Sequence, residues 1–152
     1  MDIPCTVRRG TPDDTDALAG HNCAMARETE AKELDRTVAT SGVRRLFERP
    51  EHGFYLVAER DGKVVGSLMV TPEWSDWRDG FFWWIQSVYV DAAHRRSGVY
   101  RMLHETVRTK AREAGDVWGI RLYVEQDNAN AREVYARMGM DVTPYRLYEE
   151  PL

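Results

Sequence analysis

The spacing of apolar and polar residues along the chain predicts six strands and four helices. Segments rich in β-branched and aromatic residues are typical of strands, and these are Thr6–Arg9, Gly53–Arg60, Val64–Val70, Phe81–Val90, Gly119–Glu125 and Pro144–Glu149. Apolar residues recur at helical spacing in other segments, which are Thr11–Glu28, Asp35–Arg49 with an interruption at Ser41-Gly42, Gly98–Ala114 and Asn128–Gly139. The predicted order is therefore β-α-α-β-β-β-α-β-α-β.

Two sequence features predict how these elements connect. Asp61-Gly62 stands between two strand segments and is a strong signal for a tight β-hairpin. The strand-helix-strand succession from Phe81 to Glu125 favours a right-handed parallel crossover within an otherwise antiparallel sheet. We therefore predict a mixed α/β fold, a mostly antiparallel twisted sheet with one parallel β-α-β unit, in a single domain that spans residues 1–152.

Composition and charge narrow the classes of function. The chain has 152 residues, of which 43% are hydrophobic, so one domain can bury a substantial core. Its 25 acidic residues outnumber 21 basic ones, which disfavours non-specific binding to nucleic acid. Cys5 and Cys23 form no CxxC pair and lie near no histidine at metal-ligand spacing. With no long apolar segment, we expect a cytoplasmic protein that binds neither a membrane nor a metal ion.

The segment "HRRSGVYRML", His94 to Leu103, is a candidate anion site. A strand that passes through a glycine turn into a helix leaves the first backbone N–H groups of that helix unpaired. Gly98 lets a ligand approach the backbone closely, and Arg95, Arg96 and Ser97 add donors. From this motif alone, a phosphate site and an ordinary helix start with solvated arginines remain equally open.

A second motif lies downstream in "NANAREVYARMGM", residues 128–140. Asn128 is a good N-cap, and Tyr135 returns to nearly the same side of the helix two turns later. Ala131, one turn before Tyr135, leaves room on that face. The tyrosine hydroxyl could donate a proton there, although a lone tyrosine more commonly belongs to the core.

Together the two motifs resemble those of the GNAT superfamily of N-acetyltransferases. "VYVDAAHRRSGVYRML" is similar to the superfamily's acetyl-coenzyme A motif, a strand followed by Gln/Arg-x-x-Gly-x-Gly/Ala and a helix, and "NANAREVYARMGM" is similar to its second motif. The order of elements also matches over nearly the whole chain. The resemblance implies strands splayed around an acyl-coenzyme A site.

The resemblance also implies roles for individual residues. Backbone N–H groups of residues 96–100 would hold the pyrophosphate of coenzyme A, and the pantetheine arm would pair with the preceding strand; the residues of this site are Val88, Tyr89, Val90, Arg95, Arg96, Ser97, Gly98, Val99, Tyr100 and Asn128. Tyr135 would be the general acid that protonates the leaving sulfur. One position departs from the family, since Tyr100 stands where a second Gly or Ala is usual, and its side chain should point away from the pyrophosphate.

The amine acceptor must lose a proton, and its base is not assigned by the sequence. The strand Phe81–Val90 contains no acid, although Gln86 and Ser87 could hold a relay water. Other candidates, for each of which a solvated surface role is the commoner case, are Glu28, Glu30, Glu33, Glu73, His21 and His94.

Aromatic residues before and within the fourth strand are candidates for binding the acceptor. Trp74 and Trp77, in a segment taken as a loop, are flanked by Glu73, Asp76 and Asp79 and would suit a cationic amine. They would equally suit a homodimer interface. Together with Glu28 and Trp84, they are the predicted substrate-binding residues.

Three functions follow from these observations. The first is acetyl transfer from acetyl-coenzyme A to a primary amine of a small, cationic substrate by direct attack in a ternary complex. The second is an acyl-coenzyme A sensor that keeps the fold without turnover, which the absent strand glutamate and Tyr100 favour slightly, whereas Tyr135 favours catalysis. The third, nucleic-acid binding through Arg95, Arg96 and Arg101, is disfavoured by net charge.

Overall fold

The structure, a computed structural model, describes residues 4–152. Its strands are β1 (Thr6–Arg9), β2 (Phe54–Arg60), β3 (Lys63–Ser75), β4 (Gly80–Val90) and β5 (Val117–Arg121). Its α-helices are α1 (Thr15–Glu30), α2 (Arg36–Glu48), α3 (Val99–Ala114) and α4 (Ala129–Arg137). The chain divides into two compact units, one that ends at Leu122 and one that spans Tyr123–Leu152.

All five strands belong to one sheet of the first unit, in the order β1-β2-β3-β4-β5. The first three pairings are antiparallel. The β4–β5 pairing is parallel, with α3 as the connection. The predicted mixed sheet with one parallel crossover is therefore confirmed.

The hairpin between β2 and β3 turns at the predicted residues. Asp61 and Gly62 both have positive φ, 52° and 70°, as a two-residue turn matched to strand twist requires. The strand β3 then extends beyond its predicted end to Ser75. Pro72 is tolerated there because β2 ends its pairing opposite Val70, so β3 is an edge on that side.

The segment taken as a loop between β3 and β4 is mostly strand, so the placement of Trp74 in a loop was wrong. Trp74 pairs with Phe81 across the hairpin, and their rings meet edge to face with centroids 5.0 Å apart. Only residues 76–79 form the turn. Aromatic cross-strand pairs stabilise such a ladder, which explains why it continues past Pro72.

The predicted interruption of the second helix was also wrong. Ser41 and Gly42 lie inside α2, which begins at an N-cap, Asp35, whose carboxylate accepts hydrogen bonds from the N–H groups of Thr37 and Val38. Glycine costs a helix interior only about 1 kcal/mol relative to alanine. Burial of Val43, which is 1% exposed, offsets that cost.

Two apolar clusters cover the two faces of the sheet. On one face, α3 packs on the central strands through the fully buried residues Leu56, Ala58, Val65, Leu68, Val70, Ile85, Val99, Leu103 and Val107. On the other, α1 and α2 pack through Leu18, Ala19, Val43, Tyr55 and Val57. The end of β4 is thereby held between α1 on one face and α3 on the other.

The second unit contains α4 and an irregular C-terminal segment. Asn128 caps α4, since its side-chain oxygen accepts a hydrogen bond of 3.1 Å from the N–H of Ala131, as predicted. The predicted last strand, Pro144–Glu149, was wrong: residues 144–149 have no regular secondary structure. Its apolar residues are exposed here, and alternation alone does not form a strand without a partner.

Candidate functional site

The strand β4 carries a β-bulge near its C-terminal end. Ser67 of β3 pairs with Tyr89, whereas Met69 pairs with Gln86, so Leu68 alone stands opposite both Ser87 and Val88. Ser87 has φ 53°, which is uncommon for a residue with a side chain. Bulges re-aim the backbone locally and recur beside functional sites. Gln86 and Ser87 interrupt the run of aromatic and β-branched residues in β4, but this interruption does not by itself predict a bulge, which exists only in the register of β4 against β3.

Beyond the bulge, one edge of β4 is open. Pairing with β5 covers Phe81 to Trp84 and stops there, so β4 and β5 diverge. The backbone groups of the remaining β4 residues on that side have no neighbouring strand in the described sheet. An extended ligand with amide groups can pair with such an edge as an added strand does.

The open strand leads into the predicted anion loop. Arg96 and Gly98 both have positive φ, 61° and 82°, and successive N–H groups in such turns form concave anion sites. The helix α3 then begins at Val99 with no side-chain cap, because its N-cap residue is Gly98, and the hydroxyl of the preceding Ser97 donates to the carbonyl oxygen of His94 at 2.6 Å. The first-turn N–H groups of α3 thus have no intrahelical acceptor.

The loop has space for a bulky anion beside those N–H groups. A Cβ built on Gly98 would meet no atom within 4 Å. The exposed residues Arg95, Arg96, Ser97 and Gly98 surround this space. The residues present therefore fit a pyrophosphate, bound by backbone donors, the helix dipole and positive charge.

Tyr100 points away from this loop, as expected. Its hydroxyl lies 2.9 Å from Nδ1 of His104, one helical turn further along α3, and the two rings meet edge to face. His104 is 1% exposed, and burial lowers its pKa to about 4. The departure from the family motif at Tyr100 therefore leaves the loop unobstructed.

Arg95 joins the loop to the end of α1. It donates to the carbonyl oxygen of Val90 at 2.9 Å and to the carboxylate of Glu28 at 2.6 Å. The Tyr89 hydroxyl donates to the same carboxylate at 3.1 Å. The hydrogen bond from Arg95 lowers the pKa of Glu28, whereas burial and the bond to Glu28 raise the pKa of Tyr89. Glu28 is therefore an ion-pair partner and a poor base.

His21 lies on the other side of Tyr89. Its Nδ1 is 2.8 Å from the Ser67 hydroxyl, its Nε2 is 3.6 Å from Asp91, and its ring is 4.9 Å from that of Tyr89. Burial lowers the pKa of His21, so it is neutral at neutral pH. This contact fixes α1 against the last residues of β4. No spacing in the sequence indicated it, since Ser67 and His21 belong to separate elements.

The other candidate bases are distributed over the surface or paired. Glu73 forms an ion pair with Arg121 at 2.8 Å, and Glu33 forms one with Arg27 at 3.5 Å. His94 lies 3.3 Å from a guanidinium nitrogen of Arg60, and Glu30 is exposed. The structure does not bring these groups together at the bulge, so the base stays unassigned.

Only one of the three candidate tryptophans lies near the bulge. Trp84 stands opposite Thr71, two residues before Gln86. Trp74 is six residues along β3 from Leu68, which at about 3.3 Å per residue is roughly 20 Å. Trp77, at the hairpin tip, is 88% exposed. The acidic and aromatic residues predicted to bind a cationic amine together are also separated, because Glu73 and Trp74 are consecutive strand residues and point to opposite faces.

Asn128 and Tyr135 belong to the second unit. Asn128 is the N-cap of α4. Burial raises the pKa of the Tyr135 hydroxyl, so the phenol is protonated at neutral pH. That state is the one a general acid requires.

Residues 4–152 contain neither a cluster of metal-ligating side chains nor a helix suited to cross a membrane. In that part of the chain, no three His, Cys, Asp or Glu side chains lie close enough together to hold a metal ion. No helix among these residues is both long and apolar enough to cross a membrane.

Comparison with known proteins identifies the family. The sheet with a single parallel crossover places the chain in the class of GNAT-like acyltransferase folds. The model of the Acetyltransferase (GNAT) family matches residues 22–140, most of the chain and parts of both units. The chain belongs to this family, whose members transfer acyl groups and generally use acetyl-coenzyme A.

Solved structures support this assignment. A possible acetyltransferase from Clostridium difficile 630 is 41% identical, with a TM-score of 0.91, and the match covers 97% of each chain. A ribosomal-protein-alanine N-acetyltransferase from Brucella melitensis biovar Abortus 2308 is 17% identical, with a TM-score of 0.80, covering 98% of this chain and 99% of that one. At that identity, the likeness shows the fold alone. A search of curated proteins found no match.

Proposed function

We propose that the chain transfers the acetyl group of acetyl-coenzyme A to the primary amine of a small substrate, by direct attack while both are bound. The observation that carries this proposal is the succession of a bulged, open strand end, a glycine turn and an uncapped helix N-terminus. The strand edge suits an extended amide-bearing arm, and the turn suits a pyrophosphate. The strand edge and the turn follow one another within residues 87–100, and the amide-bearing arm and the pyrophosphate likewise follow one another in coenzyme A.

Different residues of the first unit would bind different parts of coenzyme A. The N–H groups of residues 96–100 hold the pyrophosphate, with Gly98 leaving room for it. The backbone of Val88, Tyr89 and Val90 pairs with the pantetheine arm. Arg95 acts as a positioning residue, because its bonds to Val90 and Glu28 fix the entry of the loop.

The chemistry requires an oxyanion donor, an acid and a route for a proton. Acetyl-coenzyme A supplies a thioester whose carbonyl carbon the amine attacks. A backbone N–H beside the bulge would stabilise negative charge that develops on the carbonyl oxygen. The family resemblance assigns to Tyr135 the protonation of the leaving sulfur, consistent with its protonated state. Gln86, whose amide donates to Thr71 at 2.6 Å, and Ser87 would hold a water that accepts the ammonium proton.

A second candidate function is an acyl-coenzyme A sensor. The specific observation that favours it is the state of Glu28, which is ion-paired to Arg95. The strand β4 offers no acid in its place. A protein that binds the coenzyme without a base would turn over slowly.

The two functions are separated by one assay with two readouts. Purified protein is incubated with acetyl-coenzyme A and a panel of amines, and free thiol and acetylated amine are measured. Transfer predicts amine-dependent thiol release that Tyr135→Phe lowers. A thermal shift with acetyl-coenzyme A, without turnover of any amine and unchanged in Tyr135→Phe, would support the sensor.

A further inference from the structure

A cleft lies between the end of α2 and the middle of β3, apart from the coenzyme residues described above. Its volume is about 360 Å³, and it is lined by Gly42, Arg45, Leu46, Arg49, His52 and Met69. Leu46 and Met69 are half-buried and pack against the apolar cluster under α2, so they provide an apolar wall. The remaining side chains of the lining are polar and basic.

The charge of this cleft is positive. Two guanidinium groups, those of Arg45 and Arg49, line it, and no carboxylate does. Among the described residues, neither Arg45 nor Arg49 forms an ion pair within 4.0 Å. By contrast, Arg95 and Arg121 each form an ion pair with a glutamate. Guanidinium groups that converge on a concave surface without a protein partner are suited to a carboxylate or a phosphate.

One lining residue of the cleft, Met69, is the register partner of a β4 residue next to the bulge. Met69 pairs directly with Gln86, so their side chains lie on one face with Cβ atoms roughly 5 Å apart. Gln86 immediately precedes Ser87, the bulged residue. A small molecule that contacts Met69 in the cleft therefore lies next to Gln86, the residue before the strand position of the proposed transfer.

We propose that this cleft binds the anionic group of the acceptor, so that the substrate is an amine that also carries a carboxylate or a phosphate. This inference rests on the proposed acetyl transfer. Arg45 and Arg49 bind the anion, Leu46 and Met69 contact the carbon chain, and the amine lies toward Gln86 and the bulge. The acceptor is then a zwitterion, not a polycation.

The chain offers a matched control for the test. Arg44 is exposed and adjacent to Arg45 in α2, but it does not line the cleft. Arg45 and Arg49 are also exposed, so replacing each with Gln should leave the fold intact. The variants to compare are therefore R45Q, R49Q and R44Q, with their thermal melting compared first.

The experiment measures acetylation and binding with three sets of amines of equal chain length, which end in a carboxylate, a phosphate or a neutral amide. In the wild type, an anionic set should have a KM about tenfold or more below that of the neutral set. R45Q and R49Q should remove this preference, while R44Q keeps it and the thermal shift by acetyl-coenzyme A is unchanged in all three. The carboxylate and phosphate sets identify which anion is preferred.

Binding without turnover separates this inference from the proposed function. If no amine is acetylated, acetyl transfer fails, but anionic amines should still raise the melting temperature of the wild type and not of R45Q or R49Q. Equal KM values and equal shifts for anionic and neutral amines would overturn the inference. So would an effect of R44Q as large as that of R45Q.

Discussion

Gly98 provides the sharpest test of the coenzyme loop, because Gly115 is an internal control for it. The two glycines flank α3 and have nearly the same φ, 82° and 81°. A Cβ at either position meets no atom within 4 Å. Replacing each with Leu therefore imposes a similar backbone cost, about 1–2 kcal/mol for a left-handed residue with a side chain.

The expected magnitudes follow from the chain's size. For a domain of about 150 residues, 1 kcal/mol corresponds to roughly 2–4 °C in melting temperature, so both variants should melt a few degrees below the wild type. Acetyl-coenzyme A at about 100 times its Kd stabilises the native state by about 2.7 kcal/mol. The wild type and Gly115→Leu should therefore gain roughly 5–10 °C with the ligand.

Gly98→Leu should lose this gain, because its side chain fills the space in front of the N–H groups that bind the pyrophosphate. The assay is differential scanning fluorimetry of the three proteins with and without acetyl-coenzyme A, with calorimetric titration to give the Kd. An equal ligand-induced shift in Gly98→Leu and Gly115→Leu would refute the assignment of the loop.

Further predictions concern titrating and polar groups around the site. The pKa of His104 is lowered to about 4, so between about pH 6.5 and 4 the unfolded state binds more protons; stability should be complete above pH 6.5 and fall by about 3 kcal/mol toward pH 4. Urea unfolding against pH should show a weaker dependence in His104→Gln, and identical slopes would contradict this. Glu28→Gln should cost less than about 1 kcal/mol, since the ion pair with Arg95 is half-exposed, and should leave most of the turnover; a loss of about a thousandfold would instead make Glu28 the base. Tyr135→Phe should lower the rate of transfer more than the KM for acetyl-coenzyme A in steady-state kinetics, and an unchanged rate would remove Tyr135 as the acid.

Turns, helix caps and the order of elements depend on residues that are neighbours in the sequence, so the sequence predicted them. Asp61-Gly62 determines a hairpin because both residues accept positive φ. The strand, Gly98 and α3 are contiguous, so the strand-turn-helix succession that makes this segment a candidate anion loop could be predicted from the sequence. The capping of α4 by Asn128 was likewise visible in a four-residue spacing.

Features that depend on residues distant in sequence could not be predicted in this way. The α2 helix passes through Ser41-Gly42 because burial of Val43 outweighs the local preference. The pairing of Arg95 with Glu28 joins residues 67 positions apart, so it left no periodic signal. The bulge at Ser87 exists only in the register of β4 against β3, which no single strand reveals.

The central claim is acetyl transfer to an amine, and mass spectrometry of the reaction products tests it most directly. Protein, acetyl-coenzyme A and the amine panel are incubated together, with Gly98→Leu as the control whose coenzyme loop is blocked by the new side chain. We predict acetylated amine and free coenzyme A in equal amounts with the wild type, and neither above background with the variant. Binding of acetyl-coenzyme A by the wild type without any acetylated amine would contradict the account.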